Sequence, residues 1–126
     1  YPGRFDVAYH IEEGILKEHT LKLILQPLVE NSILHGFPDG ENGEICISGW
    51  LDGNDIYLQI SDNGRGIPEM EQELILHEPS SRYGKYGVYN VNKRLQLYYG
   101  PEYGVKYLPV RKGTTVLVHI PGKEEV

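Results

Sequence analysis

Cysteine is nearly missing from this sequence: Cys46 is the single one in 126 residues. An internal disulfide and a zinc site built from cysteines are both excluded, so stability must come from a packed core. Long hydrophobic runs are missing too. The longest apolar stretch, Leu21 to Val29, is broken by Lys22, Gln26 and Pro27 and falls short of the roughly 20 residues a bilayer span needs. Residues Tyr1 to Asp6 lack the basic region and apolar run of a secretion signal. Positive charge is scarce, with 12 Lys and Arg against 18 Asp and Glu, and the net charge of −6 argues against nucleic acid as a partner. Acid, in turn, is absent from one place. Between Pro79 and Pro101 there is no Asp or Glu, while Arg82, Lys85, Lys93 and Arg94 are present. A local cationic segment on an acidic body suits a small anionic ligand. What remains is ordinary for one globular domain, with 40% hydrophobic and 24% charged residues.

The hydrophobic pattern gives the organisation. Phe5, Val7 and Tyr9 alternate with Asp6, Ala8 and His10, the mark of a half-buried strand. Thr20 is placed to cap a helix in which Leu21, Ile24, Leu25, Leu28 and Val29 share one side, and Gly36 to end it. Ile45 to Leu51 and Ile56 to Ile60 are β-prone runs joined by Asp52-Gly53-Asn54, which predicts an antiparallel hairpin. From Gly64 to Gly87 the pattern dissolves into a long loop with one short helix near Glu69 to Leu76, and a loop of this length inside a domain is a functional signal. A helix over Val88 to Tyr98 and two strands, Val105 to Leu108 and Thr114 to Ile120, close the chain. The order strand, helix, hairpin, loop, helix, hairpin predicts an α/β two-layer sandwich with a mixed sheet.

Three constellations carry chemistry. In Leu25 to Phe37, Asn31 and His35 stand one helical turn apart at the edge of the apolar face, with Pro27 one turn below. They serve either as core hydrogen-bonding groups or as a site in which the Asn31 amide oxygen meets Mg²⁺, with the acidic Glu30 beside it. In the hairpin's second strand, the two-residue period of Ile56, Leu58 and Ile60 carries Asp62 onto the same inward face. An inward carboxylate needs a donor, supplied by a protein N–H or by a ligand amino group such as that of adenine. Asn63-Gly64-Arg65-Gly66-Ile67 follows, either a plain turn or a loop whose glycines let the backbone approach a flat ligand. Gly84-Lys85-Tyr86-Gly87 opens the next helix inside the acid-free segment, an arrangement that presents free N–H groups to phosphate. Gly113-Thr114-Thr115, entering the last strand, reads as a β turn when taken alone.

Taken in order, these pieces resemble the nucleotide-binding domain of the GHKL ATPase superfamily, which includes gyrase, Hsp90-type chaperones, mismatch-repair proteins and histidine kinases. VENSILHG looks like the asparagine box of LytS- and YesM-type sensor histidine kinases, SDNGRGIP like the first glycine box, and YGVYNVNKRLQLYYG like the second. RFDVAYHIEEGI followed by LKLILQPLVEN is similar to the same kinases, so the resemblance runs from about Arg4 to Pro121. Three ordered boxes are far more specific than one.

The resemblance implies a Bergerat-type fold, with helices on one face of a mixed sheet and ATP held beneath a mobile lid of about Ile67 to Tyr86. It implies that Asn31 binds Mg²⁺, that Asp62 receives the adenine amino group, that Gly64 and Gly66 line the base, and that Thr115 lies near it. Gly87 and Asn90 would lie near the phosphates, Glu30 would polarise the nucleophile or help hold the metal, and His35, Asn63, Ile67, Gly84, Lys85 and Arg94 would complete the nucleotide site. In such kinases the γ-phosphoryl group passes to a histidine on an upstream dimerisation helix, the parent is a membrane-anchored homodimer with this part in the cytoplasm, and a response regulator is the downstream partner. Two departures stand out: Leu34 replaces a common lysine, and Lys85 replaces the first glycine of the second box. None of His10, His19, His35, His77 or His119 lies in an acceptor motif, so this chain is expected to bind ATP without completing autophosphorylation. The competing readings are a stand-alone serine kinase of the anti-sigma type, and a nucleotide-binding or docking module that no longer transfers phosphate.

Overall fold

The computed structural model describes residues 5–12, 14–37, 43–78 and 87–122. Its elements are β1 (Phe5–Ile11), α1 (Glu18–Gly36), β2 (Gly43–Asp52), β3 (Asp55–Asp62), α2 (Glu69–His77), α3 (Gly87–Tyr99), β4 (Gly104–Leu108) and β5 (Thr114–Pro121). The five strands form one sheet in the order β1-β2-β3-β5-β4. β1 runs parallel to β2, with α1 as the crossover that a parallel pair requires, and the other pairings are antiparallel. The sheet is therefore mixed, as the element order predicts.

Local chemistry makes the central hairpin. Asp52 pairs with Asp55, so the turn is Gly53-Asn54 alone, and Gly53 takes φ +66° at its first central position. This is the type II′ arrangement, in which a left-handed first residue matches the twist of the strands. Along β3 every second side chain is buried, namely Ile56, Leu58, Ile60 and then Asp62. Ile45 and Ile47 of β2 and Val116, Val118 and Ile120 of β5 lie in the same core, closed by Ile24, Leu25 and Leu28 of α1 and Val88, Val91 and Leu95 of α3. Burying each such side chain is worth about 1.5–3 kcal/mol. The other face is only half-covered. It carries a stacked row of Trp50, Tyr57 and His119, with ring centroids 5.8 and 4.6 Å apart, and His119 Nε2 meets Asp55 Oδ2 at 2.7 Å.

Two expectations change. α1 begins at Glu18, so Thr20 lies inside its first turn; the Leu21 N–H already reaches the Lys17 carbonyl at 2.9 Å, and no side chain caps the end. β1 is an edge strand whose Val7 and Tyr9 are exposed, because α1 stands off its inward face and leaves an apolar groove between Tyr9, Leu25 and Val29. The short helix expected near Glu69 to Leu76 is present as α2, while residues 79–86 of the expected lid lie outside the described residues. Ile67 is buried, and α2 buries Ile75 and Leu76 against the core. α3 is tied to the sheet by Asn92, whose buried side-chain oxygen accepts the Val105 N–H at 2.8 Å. No helix among the described residues is long and apolar enough to cross a membrane.

Candidate functional site

The polar site grows from the end of the apolar row on β3. Asp62 is buried in phase with Ile60, and its Oδ1 accepts the Gly64 N–H at 2.9 Å. Its Oδ2 has no partner among the described residues. Neither has Ser32 Oγ on α1, nor Thr114 Oγ1 on β5, although Thr114 is the residue paired with Asp62 across the ladder. Burial pushes the Asp62 carboxyl above its ordinary value; the Gly64 N–H bond offsets part of this, and the Ser32 hydroxyl and Thr114 N–H lie close enough to lower it further without closing a hydrogen bond to Oδ2. Each buried group left without a partner costs about 1–3 kcal/mol, so three at one spot call for a polar ligand edge or ordered water.

Glycines build the wall around Asp62 by main-chain contact. A Cβ on Gly64 would sit 2.5 Å from the Gly36 carbonyl oxygen, which also accepts the Arg65 N–H at 3.1 Å. Gly66, at φ +84°, rests on the Gly113 carbonyl, and Gly113, at φ +75°, rests on the Asp62 carbonyl. These glycines make room first for other stretches of the same chain. On their other side Gly64, Gly66 and Gly113 line a cavity of about 710 Å³ with Ile67, Gln72 and Tyr107. Asn63 is exposed, and both its side-chain oxygen (2.9 Å) and its own N–H (3.3 Å) are spent on the backbone of Glu44.

A second compartment lies between α1 and the start of α3. A cleft of about 80 Å³ is lined by Pro27, Glu30, Asn31, Leu34, Gly87 and Val88. Gly87 lets α3 start close to α1, since a Cβ there would meet the Pro27 Cβ at 3.1 Å. The N-terminal, positive dipole end of α3 thus lies beside Glu30 and Asn31, a disposition that attracts anions. Asn31 is buried and its Nδ2 donates to the Tyr107 hydroxyl at 3.2 Å. Burial pushes the Tyr107 phenol up to about 12, so the hydroxyl keeps its proton. The Asn31 side-chain oxygen makes no hydrogen bond among the described residues and is a hard donor of the kind Mg²⁺ takes. Glu30 is exposed beside it and accepts from Gln26 Nε2 at 3.3 Å. No group of three or more His, Cys, Asp or Glu side chains that could hold a metal occurs among the described residues. The fit is therefore for an ion that takes few protein oxygens and keeps waters and a ligand's own oxygens.

Residues 16–124 match the family of histidine kinase-, DNA gyrase B- and HSP90-like ATPases. The chain belongs to that family. This ATPase domain is 30% identical over 132 residues to the sensor protein LytS of Staphylococcus haemolyticus, a match covering 100% of this chain and 23% of the relative. The domain thus spans less than a quarter of that relative's length. The catalytic domain of the histidine kinase ThkA, in a nucleotide-free form, superposes with a TM-score of 0.76 at 24% identity, covering 94% of this chain and 79% of that one. ThkA in complex with the response regulator protein TrrA gives a TM-score of 0.65 at 22% identity, over 94% of this chain and 34% of that one. Fold and family thus agree with the resemblance read from the three sequence boxes.

Within the ATPase domain, the structure brings Gly64, Gly66 and Ile67 together on the larger cavity, with Asp62 buried behind Gly64, and Glu30, Asn31 and Gly87 on the smaller. Thr115 and Ser61 share a hydroxyl–hydroxyl hydrogen bond of 3.1 Å on the sheet face away from Asp62, and Thr114 takes the inward place. Asn90 and Arg94 are exposed on α3. His35 lies in α1, but its side chain, like Gly84 and Lys85, is outside the described residues. Ser32, Thr114, Tyr107 and Asn92 do not stand out in the sequence. Only Thr114 carried a signal that could have found it, since the two-residue period of Val116, Val118 and Ile120 carries it inward.

Proposed function

We propose that this ATPase domain binds ATP with Mg²⁺ and serves a sensor histidine kinase, presenting the γ-phosphoryl group to a histidine on a separate dimerisation helix. The parent is a bacterial membrane-anchored homodimer, with this domain in the cytoplasm and a response regulator downstream. The observation that carries the reading is Asp62, a buried carboxylate with one oxygen held by Gly64 and the other unpaired. An exocyclic amino group at Oδ2 supplies the missing donor and favours the charged carboxylate, whereas a guanine carbonyl would set oxygen against oxygen. Ser32 and Thr114 stand ready to bond the base edge directly or through water. The cavity bordered by Gly64, Gly66 and Gly113 takes the base, and the cleft at Asn31 takes the phosphate end.

Mg²⁺, when bound, neutralises phosphate charge and fixes the direction of transfer. Asn31 would hold it with its side-chain oxygen, while the N-terminus of α3 at Gly87 stabilises the phosphates. Glu30, steadied by Gln26, orients the incoming nucleophile or supports the metal shell. Leu34 lines the same cleft without charge, so more of the phosphate stabilisation falls on the backbone of α3. The deciding experiment is calorimetric titration with a non-hydrolysable ATP analogue, with and without Mg²⁺, on the native domain and on Asp62→Asn. Mg²⁺-enhanced binding that Asp62→Asn loses, with a native circular dichroism spectrum, is the expected result. Absence of binding by the native domain would sink the reading in favour of a docking module.

A further inference from the structure

A buried asparagine is ambiguous toward a cation. Its amide presents an oxygen on one edge and two N–H donors on the other, and rotating the group by half a turn converts a ligand into a repulsive contact. Some partner must choose the edge. Asn31 has one such partner among the described residues, the Tyr107 hydroxyl, which sits 3.2 Å from Nδ2 and comes from a distant element, β4.

We infer that Tyr107 is a positioning residue that takes the Asn31 Nδ2 hydrogen and thereby turns the amide oxygen toward the metal and phosphate compartment. The inference rests on the reading of Asn31 as the Mg²⁺ ligand. Two further observations support it. β4 is held in place just before Tyr107, because Asn92 on α3 fixes the Val105 N–H at 2.8 Å. α3 also supplies Gly87 to the cleft, so the element that faces the phosphates and the strand that aims Asn31 are one braced unit. In addition, Tyr107 lines the 710 Å³ cavity while its hydroxyl reaches Asn31, so the same side chain links that cavity to a lining residue of the cleft. Groups that orient metal ligands in this way commonly change metal affinity by about 10–100-fold when removed.

The test is Tyr107→Phe, which keeps the ring and removes the hydroxyl. Affinity for a non-hydrolysable ATP analogue is measured by calorimetry with Mg²⁺ and with chelator, beside Asn31→Ala. The expected result is that the affinity gain due to Mg²⁺ shrinks by roughly tenfold in Tyr107→Phe while chelator-phase affinity stays within about twofold. A full gain in Tyr107→Phe, or equal loss in both arms, overturns the inference and makes Tyr107 a plain wall of the cavity. A full gain in Asn31→Ala instead refutes the metal role of Asn31, and the inference falls with it by a separately visible route. A measurement on the native chain stands even should the variant not fold. In ¹⁵N spectra the Asn31 side-chain amide should show one shifted, exchange-protected proton that exposed Asn54 lacks, and identical behaviour of the two would overturn the assignment.

Discussion

The two ends of the inward face of β3 obey one geometric rule and reach opposite results. At the near end Ile56, Leu58 and Ile60 are buried against α1, α3 and β5 with nothing left unpaired. One step further in the same phase, Asp62 is buried as well, and among the described residues an oxygen of its own, one of Ser32 and one of Thr114 lack partners. The dry end supplies stability, and the polar end spends some of it on groups that await a ligand or ordered water.

Four substitutions probe that contrast. Leu58→Ala, at the dry end, should lower unfolding free energy by about 2–5 kcal/mol in denaturant melts, by lost burial and a residual cavity. Asp62→Asn, at the polar end, should weaken adenine nucleotide binding roughly ten- to a hundredfold, the range for a hydrogen bond to a charged group, yet raise the ligand-free melting temperature. The pH dependence follows from the same residue. Because burial raises its folded value above 3.8, the folded chain keeps a proton that the unfolded chain has lost, and ligand-free stability falls as pH rises through the folded value. Asp62→Asn should remove that slope, and an unchanged slope in acid-to-neutral melts would refute the assignment. Asn92→Ala tests a buried polar group whose bond is made: leaving the Val105 N–H unpaired should cost about 1–2 kcal/mol, and a neutral result would mean that water replaces it. Ser32→Ala, which deletes an unpaired hydroxyl, should change ligand-free stability by under about 1 kcal/mol, toward the stable side. Destabilisation by Ser32→Ala would show that its hydroxyl is already engaged and would blur the contrast.

What could be read from the sequence was local. Gly53-Asn54 announces its own turn, and the two-residue period carries Asp62 inward without knowledge of any neighbour. What could not be read was set by pairing across the fold. The alternation in β1 records the pleat but not that Val7 and Tyr9 lie on an edge that α1 leaves uncovered. The period of β5 turns Thr114 inward, but that it lies opposite Asp62 needs the register of β3 against β5, which neither strand states alone. Tyr107 reaches Asn31 across 76 positions of sequence, and nothing local at either residue foretells the other. Gly64 and Gly66 were legible as glycines that must stay small, but the neighbours that keep them so are Gly36 and Gly113.

That stacking of main chain on main chain bears on how the site can vary. Most binding pockets are reshaped by exchanging one side chain for another, which is how resistance to inhibitors commonly arises. Here Gly36, Gly64, Gly66 and Gly113 leave little or no room for a side chain, and Gly66 and Gly113 also hold φ angles that other residues adopt with strain. A compound that gained its affinity from this wall would press against a surface that point mutation can scarcely redraw without disturbing the seat of Asp62, and escape would have to come from the rim.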